Sequence, residues 1–337
     1  MNSDLLNVLA CPRDHTGLRL EKGRLCCAQG HSYPIANGVP VFLLGDKEQT
    51  IGIASASLQA AENDVGGPFY FETLGIPKDQ QQEVIRNWSE KAKVDPVISR
   101  LLVATCGLGY TNMVGKLTDY PIPDIPIDHG AGELLLDVGS NWCRWSVSAA
   151  RKGWRVIAID PSLGALMAAR RAFAKEGLDI SYVCGDARFL PFKENAFKCV
   201  FSYSVFQHLS ETDASVAISE VARILRQDGF SKIQMAHKGG LRSTYIRTRA
   251  DYKDGGIFRV RYWSLDAMRR VFQSRVGPTR LVAEAFGGLG LLTEDRRLVS
   301  ARAKALIAAS QVMKRLSRLL APLILLADSV YVISTKR

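Results

Sequence analysis

Apolar positions follow two regimes along the chain. Before residue 130 they come in short alternating or scattered groups. From 134 onward, compact apolar runs alternate with longer stretches of helical spacing. Leu134–Val138, Arg155–Asp160, Ile180–Val183, Cys199–Tyr203 and Phe230–Met235 read as strands, followed by Arg280–Ala285 and Val330–Ser334. Between them, helices are expected from Trp145 to Lys152 and over Leu163–Glu176, Ala214–Leu225, Leu265–Phe272 and Val299–Leu320. Strands that are apolar throughout are buried on both faces. Their alternation with helices predicts an α/β fold with a parallel, doubly wound sheet of seven strands.

Residues 1–45 read differently. Leu5–Leu9 suggests a helical turn, and Leu18–Leu20 and Arg24–Cys26 alternate as a hairpin around Lys22-Gly23. So small a module buries little apolar surface and calls for a metal or a docking partner. Cys11 and Asp14, with Cys27 and His31, supply two knuckles of metal-ligating side chains. That set suits a structural zinc, although a ribbon usually opens with Cys-x-x-Cys and Asp14 stands at the second position. His15 in place of Asp14, and Cys26 in place of Cys27, are alternatives at the same spacing.

Residues 46–130 are expected to form a mostly helical linker or lid. Val84–Trp88 and Val97–Cys106 have helical apolar spacing. The proline-spaced stretch ending at Pro126 should be extended and stiff. The remainder, 131–337, is the doubly wound domain, with a basic insertion at 238–263 and a helical C-terminal segment at 296–325.

Composition narrows the class. The chain has 337 residues, 47% hydrophobic and 23% charged, as expected of a globular protein with a sizeable core. Its formal net charge of +11 permits an acidic partner such as RNA, an anionic membrane or a phosphorylated substrate. Seven cysteines without framework spacing argue against a secreted disulfide protein. Neither a signal peptide nor a run long enough to span a membrane is visible, so the expected location is cytoplasmic. Nothing in the sequence fixes the oligomeric state.

In an open α/β sheet, ligands bind beyond the carboxyl ends of the strands. Asp137-x-Gly139 forms the turn after the first strand. Asp160 ends the second, at a separation that suits a carboxylate accepting from two ribose hydroxyls. A dinucleotide loop would need glycines where Asn141 and Arg144 stand, so nicotinamide and flavin are disfavoured.

Further motifs sharpen the ligand. Gly185-Asp186-Ala187 precedes Leu190-Pro191-Phe192, Ser202–Leu209 follows the fourth strand, and Glu220–Gly229 leads into the fifth. In order and spacing, residues 134–235 resemble the class I S-adenosylmethionine-dependent methyltransferases, including the quinone-biosynthesis branch. The resemblance implies a Rossmann-like sheet and S-adenosylmethionine as cofactor. It places Asp137, Gly139 and Asn141 in the loop under the methionine and ribose, and Asp160 on the ribose. Asp186 and the Ala187 backbone then meet the adenine, and the carbonyl near Ser202 the methionine ammonium. The family's Asp-x-Gly-x-Gly-x-Gly stands here as Asp137-x-Gly139-x-Asn141-x-Cys143. Asn tolerates a left-handed turn, and Cys is the next smallest compromise. Arg144 is positioned to pair with the cofactor carboxylate.

Cys11-Pro and Gly30-His-Ser-Tyr-Pro-Ile-Ala-Asn-Gly-Val-Pro-Val41 resemble the small zinc-ribbon family whose free-standing members activate tRNA and protein methyltransferases. Fused members of that family commonly precede a methyltransferase domain.

Three functions compete. The first is methyl transfer to a small-molecule acceptor, a hydroxyl of a metabolite, lipid or sugar, with His208 or His237 as general base. The second is an RNA methyltransferase, since a ribbon ahead of this fold resembles the rRNA guanine-N1 enzymes. The basic insertion, with Lys238, Arg242, Arg247, Arg249, Lys253, Arg259 and Arg261 among tyrosines, would then meet RNA. The third is a cofactor-dead scaffold acting through the ribbon. The 299–320 helix has cations on one side and apolar residues on the other. It suits its own sheet or, peripherally, a membrane.

Overall fold

A computed structural model of the chain describes residues 3–63, 67, 69–72, 79, 82, 93–106, 117–249, 260–288, 292–297 and 299–337. The helix expected at Val84–Trp88 and the part of the insertion holding Tyr252, Lys253 and Arg259 lie outside the described residues. The chain divides into two compact units, Met1–Ala196 and Phe197–Arg337.

The first unit opens with a short helix, Ser3–Val8, and a four-stranded antiparallel sheet. Its strands are β1 (Leu18–Glu21), β2 (Arg24–Cys27), β3 (Ser32–Ala36) and β4 (Val39–Pro40). This is the β-rich ribbon expected from the alternation. Both of its ends are stitched to the rest of the unit. The Ala10 N–H donates to the Pro191 carbonyl at 2.9 Å, and Lys193 N–H to Val8 at 2.9 Å. The Phe42 N–H donates to Cys184 at 2.7 Å, so Val41 pairs in parallel with the end of the strand Ile180–Cys184. Leu9, Val41, Phe42 and Phe192 are fully buried. A module too small for its own core thus borrows one.

The same unit contributes β5 (Leu134–Val138), β6 (Arg155–Asp160) and β7 (Ile180–Cys184), all parallel. Helices Arg144–Arg151 and Leu163–Phe173 connect them. The second helix ends earlier than its apolar spacing predicts, and turns fill 174–177. Gly177, at φ +64°, takes the left-handed conformation that stops a helix.

In the second unit, β8 (Phe197–Tyr203) and β9 (Leu225–Ala236) are parallel. They are followed by β10 (Thr279–Ala285) and β11 (Ser329–Thr335). Gly229 permits the close approach at the start of β9, where a Cβ would come 2.9 Å from the Phe197 carbonyl. The large sheet has seven strands in the order β10-β11-β9-β8-β5-β6-β7. The architecture is the Rossmann-like methyltransferase sheet, but it is mixed rather than wholly parallel. β11 runs antiparallel to both β9 and β10. The cause lies at one end of the sheet. The Asp328 N–H donates to Ala285 at 2.8 Å, so the chain re-enters where β10 left and must run back.

Serine caps start four helices of the large domain. Ser162, Ser210, Ser264 and Ser300 each accept from the backbone N–H three residues on. The helix expected to 320 ends at Leu316, and a 3-10 turn covers Ala321–Leu326, where Pro322 cannot continue the ladder.

Between ribbon and sheet, helices cover Gly52–Glu62 and Pro96–Cys106. Residues 121–127 are extended, as the prolines predict, and run against the Arg144–Arg151 helix. There the Ile125 N–H donates to Ser148 Oγ at 2.9 Å.

Candidate functional site

The loop after β5 is built from left-handed residues at alternate positions. Gly139 has φ +73°, Asn141 φ +47° and Cys143 φ +64°. Asn and Cys therefore hold the conformation that glycine adopts at no steric cost. Both Gly139 and Ser140 donate their N–H to the Ile159 carbonyl, at 2.8 and 3.1 Å. The Asn141 N–H donates to Asp160 Oδ2 at 2.8 Å, and the Ser162 N–H to Asp160 Oδ1 at 2.9 Å. Each carboxylate oxygen keeps a second lone pair for another donor.

Asp137 lies beneath this loop, accepting from Ser146 Oγ at 2.6 Å. Burial pushes both the Asp137 and the Asp160 carboxyl up to about 7. Burial also raises the Cys143 thiol, which stays protonated. The Asn141 Oδ1 is buried without a protein partner. A buried acceptor of this kind, beside a carboxylate with spare lone pairs, fits a ligand rich in hydroxyl or ammonium donors.

Arg144, at the start of its helix, is 7% exposed, with its guanidinium 5.8 and 5.9 Å from the Trp142 and Trp145 rings. The sandwich restrains it beside the loop. After β7, Gly185 donates its N–H to the Asp160 carbonyl at 3.1 Å, which brings Asp186 and Ala187 to the same end of the sheet. The Asp186 carboxylate is already engaged. Arg188 donates to it from its backbone N at 2.8 Å and from its guanidinium at 2.7 Å. Arg188 also donates to the Glu48 carbonyl at 2.7 Å. Sequence reasoning missed Arg188.

It also missed Glu72. This carboxylate is 3% exposed and accepts from Ser57 Oγ and Ser162 Oγ, both at 2.5 Å, and from the Gly164 N–H at 3.0 Å. It caps the helix that follows Asp160. Gly164 allows the approach, since a Cβ there would lie 2.4 Å from Phe71 Cα. No sequence signal marks a cap supplied from 90 residues away.

In the second unit, Ser202 is fully buried one residue before the end of β8, and Ser204 turns the chain at φ +63°. His208 ends the 3-10 turn Phe206–His208 and is partly exposed. Its carbonyl accepts from the Arg261 guanidinium at 2.6 Å, and the Arg261 N–H donates to Gln207 at 2.8 Å. One cation of the basic insertion thus braces this turn. His237 is 5% exposed and its Nδ1 donates to the Ala327 carbonyl at 2.8 Å. Burial lowers its pKa, so the ring is neutral. A Cβ on Gly239 would lie 3.1 Å from its Nε2, so that edge is covered too.

The ribbon holds a second constellation. Cys11, Asp14, Cys27 and His31 place one potential ligand atom each within 4.8 Å of one another. Cys11 Sγ and Cys27 Sγ each lie 3.4 Å from His31 Nδ1, and Asp14 Oδ2 lies 3.0 Å from it. These are the separations of atoms sharing one tetrahedral ion at bond lengths of about 2.0–2.3 Å. Thr16 donates to Asp14 Oδ1 from its backbone at 2.9 Å and its hydroxyl at 2.6 Å. This fixes Asp14 with Oδ2 toward the cluster. Tyr33 Oη sits 3.1 Å from Cys11 Sγ. His15 and Cys26 are not in the group, and Cys26 faces Ser32 instead.

Residues 135–229 match the family described as methyltransferase domain. Two curated relatives align over the same portion of chain length. Demethylmenaquinone methyltransferase of Thermobifida fusca is 33% identical over 31% of this chain and 43% of its own. A biotin biosynthesis bifunctional protein of Cellvibrio japonicus is 33% identical over 32% of this chain and 20% of its own. The chain thus spans less than half the length of either relative. Among solved structures, Haemonchus contortus phosphoethanolamine N-methyltransferase 2 with S-adenosyl-L-methionine superposes at a TM-score of 0.44. It is 20% identical over 63% of this chain and 50% of that one. By sequence, residues 135–229 carry a methyltransferase domain of the class I, S-adenosylmethionine-dependent type, set in a Rossmann-like sheet.

Proposed function

We propose that the chain transfers a methyl group from S-adenosylmethionine to a small-molecule hydroxyl. The observation that carries this reading is the loop 139–143. It keeps its left-handed residues and its hydrogen bond to Asp160 although two expected glycines are replaced. Asp160 takes the ribose hydroxyls on its two remaining lone pairs. Gly139 and Asn141 line the methionine and ribose, with Asp137 supporting the loop from below. Asp186, steadied by Arg188, and Ala187 meet the adenine. The carbonyl near Ser202 takes the methionine ammonium, and Arg144 the carboxylate.

When bound, the cofactor supplies an electrophilic methyl on a sulfonium. The acceptor oxygen attacks that carbon, the carbon–sulfur bond breaks toward sulfur, and the hydroxyl proton passes to a base. His208 suits that role better than His237, whose Nδ1–H is committed to Ala327 and whose Nε2 edge faces Gly239. In support, the match over 135–229 is to a methyltransferase domain and one curated relative methylates a quinone precursor by name.

The ribbon, in this reading, holds a structural zinc through Cys11, Asp14, Cys27 and His31, supported by their spacing. Incubation with methyl-labelled S-adenosylmethionine and fractionated cell extract tests the acceptor. Label is expected in the small-molecule fraction and not in RNA. Label in RNA alone would replace this reading with the nucleic-acid one, and label in neither would favour the scaffold.

A further inference from the structure

The helix Ala301–Leu316 buries little of itself. Its inner side seats Ile307 and joins Lys314 Nζ to Glu284 at 2.6 Å, and Ser310 Oγ accepts from the Phe286 N–H. The opposite side is apolar and bare. Ala301, Ala305, Ala308, Val312 and Leu316 repeat at helical spacing and are all exposed. The stripe runs into Leu319, 82% exposed, Leu320, 56%, and Leu325, 57%. The turn that presents these leucines begins at Pro322, so the chain folds back and leaves them as a blunt apolar tip. Large side chains so concentrated on a surface mark a contact site.

Charge identifies the occupant. From Val299 to Ala327 there are five cations, Arg302, Lys304, Lys314, Arg315 and Arg318, and no acidic residue. Arg302, Lys304, Arg315 and Arg318 are exposed beside the stripe. The neighbouring helix Leu241–Thr248 repeats the composition. Leu241 and Tyr245 are 52% and 63% exposed, Arg242 and Arg249 are exposed, and 238–250 contains no acid. Its start lies by the leucine turn, since a Cβ on Gly239 would come 3.3 Å from the Leu325 carbonyl. Leucines that enter the acyl boundary, ringed by cations that stay at headgroup level, are complementary to an anionic bilayer. A second copy of this chain would bring like charges together around the same stripe.

We infer that the 301–326 face docks on an anionic membrane surface, with Leu319, Leu320 and Leu325 inserted and Arg315 and Arg318 at the headgroups. This inference is independent of the cofactor reading. No helix of the described residues is long and apolar enough to cross a membrane, so the attachment is in the plane of the surface.

Cosedimentation of the full chain with vesicles tests it, using phosphatidylcholine alone and phosphatidylcholine mixed with phosphatidylglycerol. Binding to the mixed vesicles is expected, weakened by salt and much reduced on phosphatidylcholine alone. A variant with Leu319→Gln, Leu320→Gln and Leu325→Gln leaves every charge in place. It should fold with an unchanged melting midpoint and bind at least about tenfold more weakly. Arg315→Glu with Arg318→Glu should abolish the preference for phosphatidylglycerol. Absence of wild-type binding to mixed vesicles would overturn the proposal, as would unchanged binding by the glutamine variant. So would sedimentation showing a wild-type dimer that the glutamine variant dissolves while its vesicle binding is unaltered.

Discussion

Asp137 and Asp160 sit one strand apart with their carboxyls buried, and burial holds both near 7. The unfolded chain releases those protons near pH 4. Between these values the folded chain binds more protons than the unfolded one. Its stability from these groups is therefore full below about 4 and falls as pH rises through about 7. Asp137→Asn keeps an acceptor for Ser146 Oγ and removes the titration. Urea midpoints at pH 5 and pH 7.5 should show the wild type losing stability across that interval and Asp137→Asn losing less. Equal losses would mean that Asp137 is already ionised at pH 5. Filling the loop with a donor-rich ligand favours the ionised Asp160. Cofactor binding near pH 6.5 should then release protons, read calorimetrically as a heat that depends on the buffer. At this scale the sequence was informative. Asp137, Gly139 and Asp160 announce themselves by ending apolar runs, and Asn141 by its tolerance of positive φ. Arg188 was not legible, because a cation two residues past Asp186 has no sequence mark separating an ion-pair partner from a solvated surface group.

Elements tie the two halves of the first unit together through contacts of long sequence range. Glu72 receives three hydrogen bonds at the start of the Leu163–Phe173 helix. Glu72→Ala would leave those donors in a buried site, at a cost of about 3 kcal/mol. A thermal shift well below that size would mean that water replaces the carboxylate. The ribbon acts on the neighbouring loop. Ala10 and Val8 bond to 191 and 193, Phe42 bonds to Cys184, and Glu48 bonds to Arg188, so the segment with Asp186 and Ala187 is held from both sides. If the four ligands hold zinc, a strong chelator should lower the melting midpoint and weaken cofactor binding together. Metal analysis of the untreated chain should give one zinc. Cys27→Ser should reproduce the chelator's effect, whereas Cys26→Ser should not. Strands and serine-capped helices were visible in hydrophobic period and cap residues. The reversed β11 was not, because strand direction depends on where the chain re-enters, and Asp328 sets that through bonds to Ser243, Gly287 and Gly288.

For the whole molecule, the +11 charge is not spread as a uniform coat. Arg261 braces a turn, Lys314 meets a buried glutamate, and Arg144 lies between indoles. Several cations expected on sequence grounds to face solvent or nucleic acid therefore do structural work. The exposed remainder gathers around the leucines of 312–326. From sequence, the amphipathic 299–320 segment suited packing on its own sheet. Much of its apolar face stays outside instead, because its inner side is occupied by the Lys314–Glu284 pair and Ser310. The central claim is that the loop with Asn141 and Cys143 still receives S-adenosylmethionine on Asp160. Calorimetric titration of the full chain with S-adenosylmethionine, beside Asp160→Ala checked for intact folding, measures this directly. One site per chain is expected for the wild type, with its heat lost in the variant. No binding by the wild type, or equal affinity in Asp160→Ala, would contradict the account.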